Sequence, residues 1–132
     1  MKGFFTNIEA ATVDNNDFRR VLYTGKHSQL VLMCLAVGED IGLETHPNSD
    51  QFFRFETGKG RAVIDDTSYE VGNGDVIIVP AGSKHNIINT SESDELRLYT
   101  LYSPAQHKDG TVRATKADAE AQPEQFDGVT TE

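Results

Sequence analysis

A chain of 132 residues holds one ordinary domain, since domains cluster at about 100–150 residues, and its 37% hydrophobic content, with seven Phe and four Tyr, is enough to close a single core. The formal net charge is −9 and the longest cationic run is the pair Arg19-Arg20, which argues against a phosphate-tracking surface and so against nucleic acid as a partner. No stretch approaches the roughly 20 apolar residues of a membrane helix, and Met1-Lys2-Gly3-Phe4-Phe5 is too short for the core of a signal peptide, so a cytoplasmic protein with no membrane partner is expected.

Strand signals begin at residue 20, with runs at 20–23 and 29–36. The second run holds the lone cysteine, Cys34, within Leu30-Val31-Leu32-Met33-Cys34-Leu35. A thiol in such a run packs as a small hydrophobe, and no nearby cation would activate it. Further strands are predicted at 42–46, 51–56, 60–65, 67–71, 75–79, 85–89 and 95–101. Between them stand Thr57-Gly58-Lys59-Gly60, Asp65-Asp66-Thr67, Gly72-Asn73-Gly74-Asp75 and Pro80-Ala81-Gly82-Ser83, all rich in residues that tolerate tight turns. An antiparallel sheet of this length escapes exposed edges by closing or stacking, so the fold class is all-β, an antiparallel jelly-roll barrel. The barrel is assigned to residues 1–104. Residues 105–132 shift to Ala, Asp, Glu, Lys, Thr and Gln and read as a polar non-barrel tail. Within it 115–121 is predicted to form a short helix, capped by Thr115 with Asp118 three residues on.

Two segments carry chemistry. Gly38, Glu44, His46, Gln51 and Gly58 follow the spacing G-x5-E-x-H-x4-Q-x6-G across 38–58. Two residues apart on a strand, Glu44 and His46 would emerge on one face, and Gln51 opens the next strand after the turn at Pro47-Asn48-Ser49-Asp50. Gly74, Pro80, Gly82, His85 and Asn89 follow G-x5-P-x-G-x2-H-x3-N across 74–89, delivering His85 at the start of a strand. A single His at a strand start is ordinarily a satisfied polar residue. Four such groups facing one interior without an ion would each need a separate partner, at about 1–3 kcal/mol for each left unpaired.

This pair of segments resembles the two motifs of the cupin superfamily, with the short intermotif stretch 59–73 of its small bacterial members. The second segment matches throughout. The first departs twice, with Glu44 where a His is usual and Gln51 where a Glu is usual; both remain oxygen donors. The resemblance implies one divalent metal ion on Glu44, His46, Gln51 and His85. An N2O2 donor set without sulfur favours Mn or Fe, with Ni or Zn also accommodated. It further implies a homodimer and a metal-dependent enzyme on a small oxygenated organic molecule, of oxygenase, isomerase or lyase type. The rival expectation is a non-catalytic cupin that binds or senses a small ligand.

Residues placed as candidate pocket lining are Phe53 and Phe55, which alternate with an inward Gln51, either Tyr99 or Tyr102 on the last strand, and His107. His107 and Asp109 follow the barrel where the chain could reach its mouth or a neighbouring subunit. The bland reading is an exposed turn ending in Asp-Gly.

Overall fold

The computed structural model describes residues 1–132. The elements run α1 (Ile8–Asp14), β1 (Arg19–Thr24), β2 (Gln29–Leu35), β3 (Asp50–Thr57), β4 (Lys59–Ile64), β5 (Thr67–Gly72), β6 (Val76–Val79), β7 (His85–Asn89), β8 (Leu96–Ser103), β9 (Val112–Arg113) and α2 (Lys116–Ala121). All pairings are antiparallel. One sheet has the order β6-β3-β8-β2-β1-β9 and the other β5-β4-β7. Their inner faces share one core, which makes the jelly-roll expected of the sequence.

Alternation builds that core. Along β8, Leu96, Leu98, Thr100 and Tyr102 are buried, while Arg97, Tyr99 and Leu101 lie on the outer face. Along β3, Gln51, Phe53 and Phe55 turn inward, until a register shift between Phe55 and Thr57 also draws Glu56 in. Met33 and Leu35 of β2 and Phe53 and Phe55 of β3 meet Ala62, Val71 and Ile87 of the smaller sheet. Each large side chain so enclosed contributes about 1.5–3 kcal/mol. At the β3–β4 turn Gly58 has φ +91°, and a Cβ there would collide with the Glu95 carbonyl and sit 3.0 Å from Leu96 Cα. Only glycine satisfies both the backbone angle and the approach to β8.

One predicted strand is absent. Segment 42–46 meets β7 only through the isolated bridge Glu44↔His85, with a second bridge, Asp40↔Ile88, just before it. Between the Ile41 N–H···O Ile87 bond and the reciprocal Glu44–His85 pair, the loop uses one residue more than β7 does. Gly42, at φ +109°, absorbs the extra residue, and Leu43 is turned out to solvent, 65% exposed. That bulge ends the period-two pattern on which the strand prediction rested.

A helix not foreseen in the sequence, α1, precedes the barrel. Its N-cap Asn7 accepts from the Ala10 N–H at 2.9 Å. Past residue 104, α2 lies where a helix was predicted, with the Thr115 hydroxyl accepting from the Asp118 N–H at 3.1 Å. The same stretch supplies β9, which pairs with β1 through Arg19↔Arg113 and Arg20↔Val112. The final residues return to β1, where Thr131 N–H donates to the Thr24 carbonyl at 2.9 Å.

Candidate metal centre

Three separate stretches of backbone bring donor atoms together between the sheets. Glu44 and His85 exchange backbone hydrogen bonds of 2.9 Å in both directions, fixing the first-motif loop to the start of β7. Gly82, in the turn before β7, donates its N–H to the His46 carbonyl at 2.9 Å and ties the two motifs a second time. As a result Glu44, His46 and His85 each offer a ligand atom within 4.8 Å of the others. His46 Nε2 stands 3.0 Å from Glu44 Oε2, and His85 Nε2 stands 3.1 Å from Gln51 Oε1, so the Gln51 oxygen joins the group.

Hydrogen bonds behind these donors orient them. His85 Nδ1 faces the Ser83 carbonyl at 3.0 Å, an acceptor only, so that nitrogen carries the proton. His85 Nε2 is thereby aimed at Gln51 Oε1. The Gln51 amide donates to Thr100 Oγ1 at 3.0 Å, which turns its carbonyl oxygen toward the same point. A positive charge between Nε2 and Oε1, whether a proton or a metal ion, completes this buried pair, and ligand histidines are commonly fixed in this way through their second nitrogen. The donor set therefore fits a single metal ion.

Burial raises the Glu44 carboxyl, but the His46 hydrogen bond and the charges of His46, Arg19 and His85 outweigh it and hold the group below the ordinary carboxylate value. It is ready to act as an anion. Phe53 packs its ring edgewise 6.3 Å from His85, and Phe55 stacks behind Phe53, deeper in the core. Of the two tyrosines considered, Tyr102 is the inward one, its ring edge-on to His46 at 5.5 Å. Tyr99 sits on the outer face, 6.3 Å from Phe52, because it differs from Tyr102 by an odd number of residues on one strand.

His107 is buried rather than exposed. Its Nε2 lies 3.2 Å from the Tyr102 hydroxyl and its Nδ1 2.7 Å from Glu124 Oε1. Burial lowers the His107 value against the opposing pull of Glu124, while Glu124 is kept low, in spite of its own burial, by the bond to His107. The imidazole is thus neutral, with Nδ1–H donating to the carboxylate and Nε2 accepting from Tyr102. Gln29, wholly buried on β2, fixes this arrangement by donating to the His107 carbonyl at 2.7 Å and accepting from the His107 N–H at 3.0 Å. Asp109 points elsewhere and accepts from the Thr131 hydroxyl. Gln29, Glu124 and Arg19 surround the centre without having been singled out in the sequence. The alternation Arg19-Arg20-Val21, with one arginine on the core face, is the only local sign of the last of these.

Two facing antiparallel sheets with a Glu/His/His donor cluster between them define a double-stranded β-helix protein with a candidate metal centre. The family model described as "Cupin domain" matches residues 31–102, and the chain belongs to the cupin family. It is 50% identical over 126 residues to the uncharacterized protein YrkC of Bacillus subtilis (strain 168), covering 91% of this chain and 67% of that protein. It is 44% identical over 112 residues to the uncharacterized protein L612 of Acanthamoeba polyphaga mimivirus, covering 83% and 70%. Among solved structures, BH2720 from Bacillus halodurans superposes with a TM-score of 0.89 at 46% identity, over 92% of this chain and 96% of that one.

Proposed function

We propose that this cupin holds one divalent cation on Glu44, His46, Gln51 and His85 and is an enzyme acting on a small oxygenated organic substrate, by oxygenase, isomerase or lyase chemistry. The observation that carries the reading is the convergence of Glu44, His46 and His85 ligand atoms within 4.8 Å, with His85 Nε2 3.1 Å from Gln51 Oε1 and both of these fixed from behind by their own hydrogen bonds. Two imidazoles, one carboxylate and one amide oxygen favour Mn or Fe, with Ni and Zn next. Such an ion supplies Lewis-acid polarisation of a substrate oxygen. The chain's own residues supply the surroundings. Phe53 keeps water from one side, and Tyr102, His107 and Glu124 hold a proton on His107 Nδ1 beside the site. A reducing cytoplasm suits the lone buried Cys34, whose thiol burial and the Glu95 carboxylate push up to about 12. A homodimer suits the apolar outer face of the larger sheet, where Ile78 is exposed near half-buried Phe52.

The test is elemental analysis of protein purified without an affinity resin and then dialysed against Mn(II), Fe(II), Ni(II) or Zn(II). One ion per chain is expected, lost in His85→Ala while the circular dichroism of the barrel is retained. A folded wild type that takes up none of the four would defeat the reading.

A further inference from the structure

A cavity of about 240 Å³, room for roughly eight waters, opens beside the donor cluster and is lined by Arg19, Glu44 and His107 together with residues of the C-terminal segment. Arg19 projects from the first residue of β1 and is only 8% exposed. Its Nε is buried with no hydrogen-bond partner. No carboxylate oxygen comes within 4.0 Å of any of its nitrogens. The Phe18 ring covers one side of the guanidinium, with Cζ 5.3 Å from the centroid. The other charges around the cavity are already matched. Lys116 is paired with Asp40 at 2.6 Å, Glu124 with His107 at 2.7 Å and Arg113 at 3.6 Å, and Glu44 with His46 at 3.0 Å; Glu120 is exposed.

Glu44 and Glu124 feel the Arg19 charge at longer range, but no anion touches its nitrogens, and a buried donor without a contacting partner is costly unless a ligand completes it. The planar fork of guanidinium donors matches a carboxylate, which can accept two parallel N–H bonds. The nearby Glu44 and Glu124 carboxylates disfavour a doubly charged phosphate at the same place. We infer that Arg19 is the anchor for a small organic carboxylate, bound as a monoanion in this cavity beside the metal centre. The inference deepens the proposed function by naming the ligand class, and it rests on that reading for the second positive charge at the cavity wall.

Calorimetric titration of the full chain loaded with Mn(II) tests it, using pyruvate, L-lactate and benzoate, their neutral amides pyruvamide, lactamide and benzamide, and inorganic phosphate. At least one acid should bind, and Arg19→Met should weaken it tenfold or more while Mn(II) stoichiometry is unchanged. Arg19→Lys, which keeps the charge and loses the fork, should fall between. Affinity for the amides should change less than twofold in either variant. Arg19→Met should retain the circular dichroism of the barrel, so that the loss is one of ligand binding and not of folding. The inference is overturned if no acid binds, if the acid binds Arg19→Met as tightly as the parent, if acids and amides lose equally, or if phosphate is preferred. Mn(II) uptake without any response to acids rejects the anchor alone. Arg19-dependent binding of an acid to a chain that takes up no metal rejects the metal centre alone.

Discussion

Gln51 decides the charge of the centre. As a neutral donor it leaves Glu44 as the sole formal anion among the four proposed ligands, so Gln51→Glu should tighten Mn(II) binding by about tenfold, roughly 1.4 kcal/mol, in competition with a chelator. Without metal the same variant should melt below the parent, since two carboxylates would then share a buried site. Equal melting of the two metal-free proteins would show that residue 51 does not face Glu44. His107 makes a separate prediction through pH. It and Glu124 are both held below their ordinary values, so the unfolded chain takes up their protons first as pH falls. Stability of the metal-free protein is then full above the unfolded imidazole value of about 6.5, drops below it as His107 is disfavoured, and drops again as the carboxylates are protonated. Thermal melts from pH 8 to 4 should show this, and His107→Gln should remove the first decline. A melting temperature that climbs between pH 7 and 5.5 would mean His107 is charged in the fold. The convergence of Glu44, His46, Gln51 and His85 was legible in the sequence because the two motif spacings bind them to turns and strand starts. Arg19, Gln29 and Glu124 were not, because their relation to the site arises only on folding; Gln29 meets His107 across 78 positions of chain.

At the level of elements, the second-motif Asn89 is a fastener at the end of β7. Its two amide protons are shared among the carbonyls of Leu35, Ala36 and Asp94 at 2.9–3.1 Å, and its oxygen accepts from the Ser91 N–H. Asn89→Ala should cost about 3 kcal/mol in chemical denaturation, since it strands several carbonyls at once. Gly58→Ala should cost about 2 kcal/mol or more, combining the strain of φ +91° with the collision at Glu95. A loss under 0.5 kcal/mol in either would mean these loops are free to relax. Most strands could be read in advance from alternation and from turn residues, and β4 with β5 is the plainest case, joined across Asp65-Asp66. The stretch around Glu44 could not, because a bulge at Gly42 has no signature in the polar pattern. Helix α1 went unread for a different reason. It is only seven residues long, with Thr12 its only buried residue, and so carries almost no apolar period.

Across the molecule the candidate ligands come from both sheets, Gln51 from the six-stranded one and His85 from the three-stranded one. An ion between them is a cross-link. With free metal a hundredfold above its dissociation constant the native state gains about 2.7 kcal/mol, so chelation should lower the melting temperature by on the order of 10 °C. Amide exchange should rise most in β7, where the smaller sheet would part from the larger. A chelator that leaves both unchanged would indicate that no ion joins the sheets. The same melting experiment separates an enzyme from a binding protein. Carboxylate-dependent stabilisation accompanied by a new product indicates turnover, and stabilisation with the ligand recovered intact indicates capture.

The cavity beside Glu44 owes much of its wall to Lys116, Ala119, Glu120, Pro123 and Glu124, all from the stretch after the last long strand. The candidate metal ligands come from the barrel, whereas much of the cavity wall comes from a segment held in place by Lys116–Asp40 and by His107–Glu124. On the proposed reading, ligand preference is therefore separable from metal chemistry. If the proposed centre holds, exchanging residues 114–126 between relatives should alter which molecules enter while leaving Glu44, His46, Gln51 and His85 untouched, so that one inherited set of ligands can be refitted to new compounds by recutting its doorway.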